Sequence, residues 1–542
     1  MNPFAPRATL ATHEVTNQPV PPAALSLWDD DRVLRDLVVQ GAPELAERVV
    51  VFAAEIGSAR SLDDGRLANR FPPELVTFDR GGRRIDEVSF HPGYHALMEK
   101  GISAGYCALP WTVAKGGHLA HGAMVYLMSQ VEPGVCCPMT MTYAAVPALS
   151  ASPEAMAPWT AGCLSGRYDS SSQPAAAKAG LTIGMAMTEK QGGSDLRGTT
   201  TRAQPVGDAF RLVGHKWFCS APMSDAFLTL ARVDQKLTAF LVPRWTPDGD
   251  RNAIHLMRLK DKLGNRANAS SEIEYHGAWA VPVGEPGRGI ATILEMVHHT
   301  RLDTCLAPAG LMRRALVEAV WWTRHRTAFG KPLADHPLMT AVLADLALDW
   351  QAALTLGLRV AEAFDNSGDA EERAFARLAV ALAKYWSNKR CPVVVAEAME
   401  CLGGMGYVED TPMPWLYREA PLNGIWEGTG NVICLDILRT VSKVPESLAA
   451  LHRELERAAG ADQRYDAALK AAIVRWSGGV AENDARRFAE TMARLLQAGL
   501  LIRRGDPVVA EAFVASRLAG DWGQAPGTLA PGTDCGHILS LV

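Results

Sequence analysis

A chain of 542 residues, 48% of them hydrophobic, is larger than one typical domain and can bury several cores. Its formal net charge of -5 excludes bulk attraction to polyanions, so any nucleic-acid surface has to be a local patch. The ten cysteines are scattered, and the only close pair, Cys136-Cys137, has neither a zinc nor a Cys-x-x-Cys redox spacing, which predicts reduced, mostly buried thiols.

The start has no basic segment followed by an apolar run. No later apolar stretch reaches the roughly 20 residues that span a bilayer, which predicts a cytoplasmic protein without a membrane segment. Residues 1-180 read as an N-terminal helical domain, because "RVLRDLVV", "ELAERVVVFAAEIG" and "GAMVYLMSQ" carry apolar residues at three- and four-residue steps. Over 181-285, short apolar runs such as "LTIGMAMT", "FRLVGHKWF" and "LTAFLVP" alternate with Gly, Asp, Pro and Asn and predict a compact antiparallel β domain. Residues 286-440 return to long helical patterns, and 441-542 add a further helical block. The expected fold class is therefore mainly α with a central antiparallel β domain, in the order helical, β, helical, plus a C-terminal helical extension.

Five segments carry candidate chemistry. In "MTEKQGGSDLRG" (187-198), paired glycines beside Thr188 and Ser194 suit close approach to phosphate or flavin oxygens, although the stretch also fits an ordinary hairpin turn. In "GHKWFCSAP", Trp217 and Phe218 are bulky enough to wall a planar cofactor, or simply to fill a core. Arg324, Arg326 and Lys331 flank Phe329-Gly330 in "TRHRTAFGKPL", where cations meet bare backbone. Gly403, Gly404 and Gly406 in "AMECLGGMGY" fit a phosphate cradle or a helix terminator. "NGIWEGTGNVICLDILRT" sets one carboxylate, Glu427, between a tryptophan and small residues. His91 and His95 have a metal-helix spacing, but the adjoining proline and the missing Glu argue against it, and no metal is expected.

Taken in this order with "KLGNRANASSEIEY" and "TRLDTCLAPAGLMRR", these motifs resemble the acyl-CoA dehydrogenase family of flavoproteins over residues 180-440. "HEVTNQ", "SGRYDSSSQP", "IWEGTGNVICLDILR" and the extra helical block make the chain most similar to the AidB-type alkylation-response branch. The resemblance implies an FAD-dependent enzyme that desaturates an acyl-CoA thioester, with Glu427 as the base and hydride transfer to flavin N5. It implies flavin contacts from Met187, Thr188, Gly193, Ser194, Trp217, Phe218, Cys219 and Ser220. Trp426, Gly428, Thr429, Asn431 and Gly404 would lie along the dinucleotide. Arg326 and Phe329 would reach the FAD of a neighbouring subunit, and hence a homo-oligomer, by family habit a tetramer, with an electron-acceptor flavoprotein or other oxidant of unknown identity. Arg301 matches an arginine near the catalytic carboxylate.

Cys219 stands where many relatives have threonine, and a thiol is the weaker donor. The branch also implies an alternative, a protein that binds duplex DNA without sequence preference and uses FAD structurally. Arg486, Arg487, Arg503 and Arg504 are the candidate phosphate contacts, although interleaved acids such as Glu482, Asp484, Glu490 and Asp506 read more simply as solvated helix faces.

Overall fold

The computed structural model describes residues 6-542. Helices α1 (Arg32–Gly41), α2 (Ala46–Ile56), α3 (Ala59–Arg70), α4 (Pro92–Ala104), α5 (Leu109–Thr112), α6 (Gly117–Met128), α7 (Cys136–Leu149) and α8 (Pro153–Cys163) come first. Helices α6 and α7 are apolar nearly all round and buried on nearly every side, as central core helices are. The His91 ring accepts from the Gly93 N–H at 3.0 Å and caps α4, while His95 Nδ1 meets the Tyr168 hydroxyl at 2.7 Å. Their spacing is thus that of a cap and a core contact.

One element departs from the helical expectation for this region. Strands β1 (Glu74–Phe78) and β2 (Arg84–Ser89) form an antiparallel hairpin, and Val88 is buried with the apolar cluster of the central sheet. That sheet contains β3 (Ile183–Ala186), β4 (Arg202–Val206), β5 (Ala209–Ser220), β6 (Ala226–Val233), β7 (Lys236–Pro243), β8 (Ile254–Leu259) and β9 (Ser270–Val283). Its order is β3-β6-β4-β5-β9-β7, with β8 on β9, and a β6–β7 pairing closes the path. The long ladders are antiparallel as expected, but β3 and β4 both run parallel to β6. Strands in that relation need a connection across the sheet end, and residues 187-201, which hold the two-glycine loop, supply it.

Beyond the sheet, α9 (Gly289–His325), α10 (Pro337–Asp365) and α11 (Ala370–Glu400) form the main helical layer, followed by α12 (Met413–Glu419) and α13 (Gly430–Lys443). By length and composition α10 could cross a membrane, contrary to the run-length reading, yet its apolar stretch is almost wholly buried inside the protein. Its charges are paired there. Arg517 meets Asp345 at 2.5 Å and Asp349 at 3.3 Å, and Arg359 meets Glu372 at 2.8 Å and Glu454 at 3.1 Å. These pairs seat the last block, α14 (Pro445–Glu456), α15 (Gln463–Arg475), α16 (Ala485–Arg504), α17 (Pro507–Phe513) and α18 (Cys535–Ser540), against the main layer.

Candidate active site

The turn before α13 presents Glu427 with φ +56°, a left-handed conformation that costs a non-glycine residue about 1–2 kcal/mol. Neighbouring helices hold it there. From α9, the Thr300 hydroxyl donates to Glu427 Oε2 at 2.7 Å and Arg301 Nε donates to the Glu427 carbonyl at 3.3 Å. Arg301 is itself fixed by Asp436 of α13 at 2.6 Å, so its position does more than stabilise a helix. From α11, the Lys384 ammonium donates to the carbonyls of Asn423 at 3.0 Å and Gly428 at 2.7 Å. Trp426 Nε1 donates to Asn423 Oδ1 at 2.7 Å.

Burial raises the Glu427 pKa above the ordinary carboxylate value, while the Thr300 hydroxyl and the charges of Lys384 and Arg301 oppose that rise. The N-cap position of α13 belongs to Thr429, so Glu427 is not a capping side chain. Its backbone N–H has no protein partner among the described residues.

The β domain supplies a second set of candidate groups. Glu189, 1% exposed, accepts six hydrogen bonds: from Lys216 at 2.8 Å, the Thr200 N–H and hydroxyl at 2.7 Å each, the Thr201 N–H at 3.1 Å and hydroxyl at 2.6 Å, and Gln191 at 2.6 Å. The two-glycine loop is tied down by this one carboxylate. A Cβ on Gly193 would sit 2.3 Å from Thr188 Oγ1, and Gly192 has φ +148°, so the close approach and backbone course both call for glycine. Ser194 is exposed beside them, and Met187 is buried beneath.

The Lys260 ammonium lies 3.3 Å from the Trp217 ring centroid, with Phe218 exposed next to it. A cavity of about 330 Å³ adjoins, lined by Lys260, Lys262, Arg266, Asn268 and Ser270, and Ser270 lies 3.3 Å from the Ser220 hydroxyl. Burial pushes the Cys137 thiol up to about 11, and the charges of both Lys262 and Glu427 act on it. These residues fit a flat, phosphate-bearing cofactor such as FAD: aromatic rings, cations and glycine backbone converge on one face.

Two expectations need correction. Cys219 is fully buried in the sheet core, so its thiol does not face the site and the available hydroxyl is that of Ser220. The four arginines are not one cluster: Arg487 and Arg503 sit near opposite ends of α16, roughly 24 Å apart at 1.5 Å per residue. All four are engaged, Arg486 with the Tyr385 hydroxyl at 3.2 Å, Arg487 with Asp484 at 3.9 Å, Arg503 with Glu454 and Arg504 with Glu362 at 2.7 Å. On α9, His298 and His299 are half-buried against Phe364, with His299 also beside Trp111, and burial lowers both pKa values.

The remaining candidates lie at the surface. Phe329, 95% exposed with φ +52°, forms the tip of a hairpin between β10 (Thr327–Ala328) and β11 (Lys331–Pro332). Asn17 braces its base by donating to the Thr327 carbonyl at 2.8 Å and accepting from the Thr327 N–H at 2.7 Å, and Arg326 donates to the Asn17 carbonyl at 2.6 Å. Gly404, Thr429 and Asn431 are exposed, and Gly428 has φ +108°. Sequence reasoning missed Thr300, Lys384, Glu189, Lys216 and Cys137. The available signal was a lone lysine in each of two apolar runs, "LVGHKWF" and "LAVALAKYW".

Comparison with known proteins identifies the family of the chain. Residues 17-170 match the adaptive response protein AidB N-terminal domain, 184-278 the acyl-CoA dehydrogenase middle domain and 287-442 the acyl-CoA dehydrogenase C-terminal domain. The chain is 45% identical to the AidB protein of Escherichia coli (strain K12), over 85% of this chain and 86% of that one. It is 33% identical to acyl-CoA dehydrogenase family member 11 of Caenorhabditis elegans, over 81% of this chain and 77% of that one. Among solved structures, Caenorhabditis elegans ACDH-11 in complex with C11-CoA superposes with a TM-score of 0.83 at 29% identity, covering 96% of this chain and 94% of that one. The chain therefore belongs to the acyl-CoA dehydrogenase family of FAD-dependent oxidoreductases and is of the AidB type.

Proposed function

We propose that the protein introduces an α,β double bond into an acyl-CoA thioester, with Glu427 removing the α proton. The observation that carries this reading is the Glu427 turn. A half-buried carboxylate of raised pKa is held by one hydroxyl in a backbone conformation that two cations enforce. The C11-CoA complex of the nematode relative supports an acyl-CoA ligand. FAD, when bound, supplies the acceptor for the hydride leaving the β carbon.

The chain's own residues do the rest. Trp217 and the Glu189-braced loop orient the cofactor face, and Glu427 holds the abstracted proton on its carboxylate. The unpaired Glu427 N–H is a donor suited to the thioester oxygen, whose developing charge it would stabilise. Incubation with a panel of straight-chain acyl-CoAs and an artificial electron acceptor should yield the matching α,β-enoyl-CoA for at least one member. Absence of enoyl product across the panel, with FAD bound, would overturn the reading. The DNA-binding alternative has no comparable observation behind it, since its arginines are spread along α16 and mostly paired.

Oligomeric FAD binding is part of the proposal. A phenyl ring 95% exposed on a left-handed turn suits contact with another subunit, and Arg326 beside it brings a cation. Replacing Arg326 and Phe329 together by alanine should leave a folded protein that has lost most of its flavin, measured by visible absorption and by sedimentation. Full flavin occupancy in the native assembly would remove both residues from the cofactor site.

A further inference from the structure

The Glu427 turn rests on a buried lysine that makes no salt bridge among the described residues. Lys384 is 1% exposed on α11, within the apolar run "LAVALAKYW". An isolated ammonium in such a place is costly unless its donors are satisfied. Lys384 satisfies two of them on the carbonyls of Asn423 and Gly428, which bracket Glu427. The bridge spans the six residues from Asn423 to Gly428 and closes the turn in which Glu427 adopts φ +56°.

The charged surroundings are mixed. Glu427 favours the ammonium, Arg301 of α9 and Lys389 of α11 oppose it, and Cys305 of α9 adds a weak attraction. Burial dominates and lowers the lysine to about 7, while burial on the other side of the pair raises Glu427. Asp303, one turn beyond Thr300 on α9, also acts to raise Glu427. Two groups that burial pushes toward neutrality thus face each other, and each favours the charged form of its partner.

We propose that Lys384 is a positioning residue for the base: its ammonium clasps the two carbonyls that bracket Glu427, and its charge favours the carboxylate form of that neighbour. This inference deepens the proposed function and rests on it for the role of Glu427. No oxygen of Glu427 is within its salt-bridge reach, so the lysine acts through the turn and through its field, not by taking the proton.

The test is the pH profile of the Glu427 carboxyl, read in two ways on the FAD-loaded protein. Lys384→Met removes charge and donors, Lys384→Gln keeps a neutral donor, and Lys384→Arg keeps the charge. An infrared pH titration without substrate follows the protonated carboxyl band, assigned by its loss in Glu427→Gln. Its midpoint should rise by roughly one pH unit in the Met and Gln variants, the lower end of the effect of a nearby opposite charge, and stay near wild type in the Arg variant.

Flavin reduction by the fastest acyl-CoA of the panel should correspondingly fall about tenfold on the acid side of the profile and converge with wild type on the alkaline side. An unchanged infrared midpoint in both neutral variants overturns the proposal, as does an equal shift in Lys384→Arg. Failure of the dehydrogenase reading looks different: the infrared shift persists while no acyl-CoA reduces the flavin. If Lys384→Met does not fold, the Gln and Arg variants decide the matter alone.

Discussion

Glu427→Gln should keep its flavin and its fold while reduction by a productive acyl-CoA falls by ~10²- to 10⁴-fold, the range attributed to a positioned base. The amide retains the shape of the side chain and can still accept from Thr300, so the turn held by Arg301 and Lys384 survives. What is lost is the basic oxygen. The wild-type profile has a defined sign: the carboxylate form is the active one, and burial raises its pKa above the ordinary glutamate value. Reduction should therefore climb as pH rises through a midpoint above that value. Rapid reduction by the Gln variant, with a wild-type pH profile, would assign the base elsewhere.

Glu189→Ala should destabilise the protein by about 3–5 kcal/mol, as expected when one member of a buried ion pair is removed. The change removes the carboxylate partner of Lys216, 1% exposed, which keeps only the Leu230 carbonyl, and takes an acceptor from the donors of Thr200, Thr201 and Gln191. Because these groups anchor the loop of Gly192 and Gly193, flavin affinity should fall with stability. Urea unfolding with parallel measurement of bound flavin checks both. The sign of the linkage is fixed by the depressed pKa of Glu189: its contribution is present above the unfolded carboxylate range and is lost as pH falls toward the folded value. A variant as stable as wild type, with full flavin, would show that the loop holds itself.

The helical, β, helical order was legible because hydrophobic period is a local property that survives in a single sequence. Strand pairing is not local. The parallel placement of β3 and β4 beside β6 depends on which strands meet across the sheet, and no residue in "LTIGMAMT" announces it. The β1–β2 hairpin went unread because Val76 and Phe78 are exposed, which blurs the alternation that marks a half-buried strand.

At the site, Glu427, Trp217 and the Gly192-Gly193 loop were legible from motif order, while their supports were not. Thr300 and Lys384 come from helices 127 and 43 residues away in sequence, by subtraction of the numbers 300 and 384 from 427. Cys219 illustrates a different failure. Regular alternation puts it on the same face as Trp217, but an irregularity in the β5–β9 register between Lys216 and Cys219 turns the thiol into the core. The spread of the arginines, by contrast, follows from helical rise alone once α16 is known to be continuous.

The most direct test is anaerobic mixing of the purified, flavin-loaded protein with straight-chain acyl-CoAs of increasing length, following the visible flavin absorption and analysing the thioester afterwards. The account predicts that at least one acyl-CoA bleaches the flavin and is recovered as its α,β-enoyl thioester, and that Glu427→Gln binds the same acyl-CoA without bleaching. Flavin that stays oxidised with every acyl-CoA, in wild type and variant alike, would contradict it.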